Sequence, residues 1–338
     1  MEYGGFLFKD KVLSFLYQNG KKQEEVSMES IAEQWLRNVR LRVKESTYVK
    51  YNNIVRNHIV PVMGQLSVEN LTTTVLESFV EEKLKNGRKD TGEELSVKSV
   101  KDIVAVVKGI CSFATSQNME IPCHFDQVRI RMRNPEIQVM DRLAQMNLER
   151  FLMEDDDLKR TGILLSLYMG LRLGEICALQ VECIEMETGI LHVRNTMQRI
   201  QSLDQKEQKK TKVIVTEAKS LSSIRDIPIP VFLQKRLDII KDLPKNAYFL
   251  TGRPDAYIEP RTMENTFKRY LTLCGISGMN YHVLRHTFAT RCVEAGVDAK
   301  TLSEILGHSN VNITLNRYVH SSMEQKRKSM EMVKIGMA

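Results

Sequence analysis

The sequence predicts two domains of different class: an all-α four-helix bundle, then a mixed α/β domain, mainly helical, with a small antiparallel sheet. Three observations predict this. At 338 residues the chain is about twice the usual domain length. From Ser27 to about Gln117 apolar residues recur at helical spacing. Beyond about Asp141 helical stretches alternate with three strand patterns.

Residues 1–26 are a short mixed lead that ends in the polar stretch Asn19 to Glu25, and no fold is assigned to them. In the bundle, residues 27–117, Ser30 and Glu33 make a capping box, after which Ile31, Trp35 and Val39 share a face. Thr47 opens the second helix, with Tyr48, Tyr51, Val55 and Ile59 inward and Pro61 and Gly64 as its stop. Thr74 and Glu77 cap the third, which carries Phe79, Val80 and Leu84. The fourth alternates spacings of three and four through Val97, Val100, Val104, Val107, Cys111 and Ala114.

The polar faces of these helices hold Arg37, Arg40, Arg42, Lys44, Lys50 and Arg56, then Lys98, Lys101 and Lys108. They read equally as ordinary solvated faces and as contacts for a polyanion. Residues 118–140 form a linker. Within it Arg129-Ile-Arg131-Met-Arg133 would line one side of an extended strand with cations, as a segment crossing a phosphate backbone would.

The second domain, 141–320, carries helices near 144–153, 157–169, 173–180, 231–241, 260–274, 283–295, 299–306 and 312–320. Strand patterns fall at 190–199, 211–217 and 224–229, with a turn at Glu187-Thr-Gly189 before the first. A tail, 321–338, contains the basic cluster Lys326-Arg327-Lys328.

Composition narrows the partners. The formal net charge of +7 favours a polyanion. The six cysteines show neither a C-x-x-C pair nor zinc spacing and read as free, mostly buried thiols. Lys9, Asp10 and Lys11 interrupt the apolar stretch around Phe6 to Phe8, so no secretory pattern forms. The strongest apolar run, Ile163 to Met169, is far below the ~20 residues of a membrane helix. The expectation is a cytoplasmic protein with no membrane partner.

The polar signals supply the chemistry. Attack of a phenol on a phosphodiester needs a nucleophile, charge stabilisation at the non-bridging oxygens and a proton for the leaving alkoxide. Tyr318 is the candidate nucleophile; an unperturbed phenol has a pKa of about 10, so it requires cationic or basic neighbours. Arg172 and Arg285 offer permanently charged planar forks for phosphate oxygens. Glu175 lies one turn from Arg172 and orients it. His282, on one face with Arg285, serves as general base or hydrogen-bond donor, and His308 bonds a non-bridging oxygen. Lys219, between the second and third strand patterns, is the candidate general acid. His192, His286 and His320 read as structural or supporting.

These residues are where the chain resembles the tyrosine recombinase (phage integrase) family, over nearly everything from Ser27 onward. Gly170-Leu-Arg172-Leu-Gly-Glu175 is similar to the family's first-arginine box. Lys219 ahead of Arg225-Asp-Ile-Pro-Ile229 looks like its β-hairpin lysine, with Lys210 and Lys212 as competitors. His282-Val-Leu-Arg285-His-Thr-Phe-Ala is similar to its H-x-x-R box. Leu306-Gly-His308-Ser and Tyr318-Val-His320 look like its closing histidine and nucleophile. Residues 27–117, with Trp35 and Leu41-Arg-Val-Lys-Glu-Ser-Thr-Tyr48, are similar to its SAM-like core-binding domain.

The resemblance implies two domains clamped around duplex DNA with inverted core sites, and a 3′-phosphotyrosyl intermediate that releases a 5′-hydroxyl. It implies a homotetramer exchanging strands through a four-way (Holliday) junction, with tails such as 321–338 packing on neighbours. Neither ATP, metal nor other cofactor is required. The Arg172 and Tyr318 contexts look most like integrases of phages and conjugative transposons, for which an excisionase or a host architectural protein is the expected further partner. Residues 1–26 are too short for the arm-binding domain many such integrases carry. Arg40, Arg42, Lys44, Arg56, Lys98, Lys101, Arg129, Arg131 and Arg133 are the candidate DNA contacts. Two other readings remain. A type IB topoisomerase uses a similar active site as a monomer; the helical 27–117 module and the Leu306-Gly-His308 box disfavour that reading. A silent DNA-binding protein has no use for a phenol so placed.

Overall fold

The computed structural model describes residues 26–88, 91–131, 137–203, 210–217, 223–319, 327 and 330. Lys219, Arg133 and His320 therefore lie outside the described residues, as do the lead 1–25 and nearly all of the tail. The chain divides between Pro135 and Glu136 into two compact units.

The first unit is built on α1 (Met28–Arg40), α2 (Glu45–Ile54), α3 (Thr73–Asn86) and α4 (Val97–Ser116). Its core contains Ile31, Trp35, Val55, Ile59, Phe79, Val107, Ile110 and Ala114, largely the positions the helical spacing singles out. Trp35 meets the ring of Tyr51 at 5.3 Å between centroids and lies 3.0 Å from where a Cβ on Gly109 would stand, so α1 and α4 approach closely there.

The helix starts differ from expectation. Ser27 caps α1 by accepting from the Ser30 N–H, so Ser30 is already helical. Thr72 caps α3 through the Val75 N–H, and α2 begins at Glu45 rather than Thr47. In each case the chain turns helical two or three residues before the residue that sequence spacing favours, because neighbouring Ser, Thr and charged positions offer competing caps.

Pro61 does not stop the second helix. The path continues through a π turn (Val55–Ile59) into a helical turn (Val60–Met63), with Pro61 near the start of that last piece and Gly64 at its end. A proline ring crowds the carbonyl four residues back and supplies no N–H, and a locally widened turn accommodates both.

The expected linker begins inside the bundle. Met119, Ile121, Phe125 and Val128 pack against its core, Cys123 is buried in it, and the His124 N–H donates to Thr73 Oγ1 at 2.9 Å. Arg129 and Arg131 form no strand, yet both are exposed while Val128 and Ile130 are half-buried.

The second unit runs α5 (Arg142–Met153), α6 (Leu158–Met169), α7 (Leu173–Ala178), β1 (Ile184–Glu185), β2 (Ile190–Val193), β3 (Asn195–Gln201), β4 (Thr211–Glu217), β5 (Arg225–Pro228), α8 (Val231–Arg236), α9 (Pro260–Leu273), α10 (His282–Glu294), α11 (Ala299–Leu306) and α12 (Val311–Tyr318). The apolar run Ile163 to Met169 lies in α6, which is buried almost all round as the central helix of the core. Among the described residues no helix is long and apolar enough to cross a membrane.

The strands form two small antiparallel sheets, β1-β2-β5 and β3-β4. The two strands that flank Lys219 in sequence therefore do not pair with each other: β4 pairs with β3, whereas β5 pairs with β2. In β5 the inward positions are Arg225 and Ile227. The Tyr281 hydroxyl lies 2.9 Å from Ser166 Oγ in the buried core, which fixes the start of α10 against α6. A separate small cluster, Ala289, Leu302, Leu306 and Tyr318, joins α10, α11 and α12.

Candidate active site

The site grows from the end of α6. Gly170 terminates that helix at φ +65°, and a Cβ there would stand 2.7 Å from Phe288 and 2.9 Å from Leu306. Both the conformation and the space therefore call for glycine. The chain then turns at once into α7, with Arg172 at its N-cap position.

Glu175, one turn on, is almost fully buried. It accepts the Arg172 backbone N–H at 2.9 Å and an Arg172 guanidinium N–H at 2.6 Å. Arg225, buried on β5, forks onto the same carboxylate at 3.1 and 2.9 Å. Burial alone would raise the Glu175 pKa, but the Arg225 hydrogen bonds and charge, together with Arg172, outweigh it and hold the carboxyl down at about 2.

Three successive carbonyls at the end of α11 each receive a different arginine. Arg225 Nε donates to Ile305 O at 2.6 Å, Arg285 to Leu306 O at 2.6 Å and Arg172 to Gly307 O at 3.2 Å. Helix C-termini leave such carbonyls without intrahelical partners and carry partial negative charge, so cations are favoured there. The arginines come from β5, α10 and the α7 cap. They fix the point from which the chain, turning at Gly307 (φ +64°), delivers His308.

Arg285 is 2 % exposed and also donates to Gly170 O at 2.7 Å. Burial and then the neighbouring Arg172 charge lower its pKa to about 9, so it remains charged near neutrality. The Arg172 side chain, by contrast, keeps a third of its surface open.

His308 is held by Thr314, with Nδ1 2.8 Å from its hydroxyl oxygen, and its ring lies parallel to the Tyr318 ring at 6.4 Å between centroids. Tyr318 is nearly buried, and its hydroxyl is 2.7 Å from His286 Nδ1. Burial raises the phenol pKa, while Arg285, Arg317 and Arg172 work against that rise. His282 has a solvent-facing edge and meets His286 edge-on at 4.5 Å between rings. Partial burial, then nearby arginines, push His282 down to about 4 and His308 to about 3. His286 is pushed to about 4 by partial burial, then by His282 and arginine charge. All three imidazoles are neutral near pH 7.

The structure thus brings Arg172, Glu175, His282, Arg285, His308 and Tyr318 together in one unit. The arginines outnumber their carboxylate partner Glu175, which leaves a pocket of positive potential beside a phenol and three neutral imidazoles. Such a pocket can hold an anionic phosphodiester and present it to the phenol.

Two residues of this cluster, Arg225 and His286, carry no catalytic assignment from the sequence alone. Arg225 carries a readable signal, since an arginine on the apolar face of a strand, in phase with Ile227 and Ile229, requires a buried acidic partner. His286 stands one helical turn from His282 on the same face. Which of the two rings reaches the phenol depends on how α12 docks, and that is not a local property.

Of the candidate DNA contacts, Arg40, Arg42, Lys44, Arg56, Lys98, Lys101, Arg129 and Arg131 are all exposed in the first unit. Arg56 is engaged by Glu33 at 3.0 Å and Glu29 at 4.0 Å, and Arg40 lies over the Tyr48 ring. Lys101, Arg129 and Arg131 line one cleft with Val104, Val128 and Ile130, which brings cations of the expected linker beside α4.

Comparison with known proteins gives concordant findings. Residues 141–325 match the model of the phage integrase family, and residues 27–84 match that of the phage integrase N-terminal SAM-like domain. A tyrosine recombinase XerC-like protein of Caldanaerobacter subterraneus subsp. tengcongensis is 28% identical over 331 residues, covering 91% of this chain and 83% of that protein. Tyrosine recombinase XerA of Pyrococcus horikoshii is 26% identical over 243 residues, covering 70% of this chain and 75% of that protein. Among solved structures, the Tn1549 transposon integrase in complex with transposon right end DNA superposes with a TM-score of 0.72 at 19% identity, over 92% of this chain and 100% of that one. A lambda integrase tetramer bound to a Holliday junction gives 0.64 at 15% identity, over 93% and 86%. At such identities the structural likeness speaks for the fold.

Proposed function

The chain belongs to the phage integrase family of tyrosine-type site-specific recombinases, and from that membership we propose that it cleaves and rejoins duplex DNA through a covalent 3′-phosphate ester on Tyr318. The observation that carries this reading is the position of the Tyr318 phenol, its hydroxyl at hydrogen-bond distance from one imidazole and its ring parallel to another, within electrostatic reach of Arg172 and Arg285.

In this reading Arg172 uses its open face to fork onto a non-bridging oxygen, and Arg285 adds fixed charge from beneath. Each preorganised donor of this kind typically contributes ~3–4 kcal/mol to the transition state. His308 and His282 donate to the remaining oxygens, which suits neutral rings that carry one N–H each. Lys219 protonates the departing 5′-oxygen. The ester retains the bond energy, and a 5′-hydroxyl from a partner duplex reverses the reaction without ATP or a cofactor.

The substrate we infer is duplex DNA with inverted core sites, carried by a mobile element. The assembly is a homotetramer that exchanges strands through a four-way junction, with an excisionase or host architectural protein as accessory. Support comes from the fold shared with the Tn1549 transposon integrase on transposon end DNA and with the lambda integrase tetramer on a Holliday junction.

The test is trapping of the covalent adduct on a nicked duplex from which the cleaved end diffuses away. Wild type should accumulate adduct, and Tyr318→Phe should give none while binding the same DNA within a few-fold. An adduct that survives the substitution would assign the nucleophile elsewhere. Relaxation of supercoiled DNA without recombinants from two separate duplexes would instead favour the topoisomerase reading.

A further inference from the structure

We propose that His286, rather than His282, is the group that accepts the Tyr318 proton as the phenol attacks. The inference rests on the reading of Tyr318 as nucleophile and adds to it the destination of the proton.

The geometry carries it. Of the two imidazoles on this face of α10, His286 is the one at hydrogen-bond distance from the phenol, with Nδ1 and the hydroxyl oxygen 2.7 Å apart. A base must lie within about 2.6–3.2 Å of the proton-bearing atom, or one water away. His282 meets His286 instead, its ring edge-on to that ring at 4.5 Å between centroids. With the ring proton on Nε2, His286 Nδ1 presents a lone pair to the phenol.

The surroundings favour a neutral ring before reaction. The titratable and charged groups around His286 are His282 and Arg285 on its own helix and Arg317 and Tyr318 on α12, with Arg172 and His308 beside the phenol. Partial burial first, then His282 and the charges of Arg317 and Arg285, keep the imidazole unprotonated and therefore able to accept. An incoming phosphodiester brings negative charge into this pocket, which raises the basicity of the ring at the moment the phenol needs it.

The step balances. The O–H bond of Tyr318 breaks and an N–H bond forms at His286 Nδ1, while the phenol oxygen forms its bond to phosphorus. The bond from phosphorus to the 5′-oxygen breaks, and that oxygen takes its proton from the separate acid, Lys219 in the reading above. On rejoining, His286 returns its proton to the phenol oxygen.

The experiment compares adduct formation by full-length wild type, His286→Asn, His286→Gln, His282→Asn and Tyr318→Phe on the nicked duplex between pH 6 and 9.5. Asparagine places an amide near Nδ1 that can still hold the phenol but cannot take its proton. His286→Asn should cleave at least ~10²-fold more slowly near pH 7. Its rate should then climb about tenfold per pH unit as hydroxide ionises the phenol, a slope wild type lacks. His282→Asn should keep the wild-type slope. A His286→Asn rate within about threefold of wild type with a parallel profile would overturn the assignment, as would the steep slope appearing in His282→Asn instead. DNA affinity and melting temperature report whether each variant folds, and His286→Gln supplies the second variant if Asn does not. If Tyr318→Phe still forms adduct, the reading of the nucleophile itself fails; if Tyr318 is required and His286→Asn is unaffected, only the present inference does.

Discussion

Arg225 forks onto Glu175, with Nη1 3.1 Å from Oε1 and Nη2 2.9 Å from Oε2, both side chains being about 5 % exposed. The same carboxylate fixes Arg172, and the same guanidinium holds the Ile305 carbonyl, two residues before Gly307 and three before His308. One buried ion pair thus sets two of the groups proposed to touch the phosphate.

Arg225→Met should be severe, because it leaves Glu175 buried with only Arg172 for a partner; losing one member of a buried pair typically destabilises by about 3–5 kcal/mol. Arg225→Lys keeps the charge but cannot make two parallel bonds and a third to a carbonyl. Thermal unfolding should show Lys intermediate between wild type and Met, with adduct formation falling in the same order. A Lys variant that matches wild type in both would mean that charge alone suffices there.

Arg172 and Arg285 should separate by readout. Both substitutions to Ala should slow adduct formation by at least ~10². Arg285 also satisfies the buried carbonyls of Gly170 and Leu306, so Arg285→Ala should lower the melting temperature clearly. Arg172, a third open, should lower it less. Equal melting temperatures for the two variants would contradict the structural half of this assignment.

How much of this was legible in the sequence follows from what each feature depends on. The α6 to α12 boundaries came from periodicity and from Gly170 and Gly307, which are local signals. Arg172, Arg285, His308 and Tyr318 stand out as candidates because their order and spacing resemble those of a family. Arg225 and His286 do not stand out as site residues in the sequence, because their contacts to Glu175 and Tyr318 cross 50 and 32 positions of chain. The bundle extends past the expected start of the linker because Met119 to Val128 lacks a period, and a non-helical segment that packs into a bundle has none to offer. Pattern alone does not separate the two sheets, since the pairing of β4 with β3 and of β5 with β2 is set by packing rather than by local sequence.

Acid should loosen the second unit before it affects surface carboxylates. His286 and His308 are lowered from 6.5 to about 4 and about 3, so below pH 6.5 the unfolded chain binds protons that the folded site refuses. Stability then rises with pH across that window and is lost as pH falls through it. Glu175, lowered from 4.5 to about 2, adds a further loss between those values. The melting temperature of the DNA-free protein should therefore decline from about pH 6.5 downward, with a shallower slope in His308→Gln. An unchanged slope in that variant would show that His308 titrates normally.

The DNA-contact candidates differ in what already occupies them. Lys101 and Arg131 share a cleft edge with Arg129, whereas Arg56 is held by Glu33 and Glu29. If the first unit follows a phosphate backbone, Lys101→Ala and Arg131→Ala should each weaken binding to all duplexes alike. Each should also reduce the slope of log affinity against log salt by about one. Arg56→Ala should do less, because its charge is already partly neutralised before DNA arrives. Affinity titrations at several salt concentrations make the comparison. Should Arg56 prove the strongest of the three, its carboxylate partners must release it on binding, and the cleft beside α4 would not be where the backbone runs.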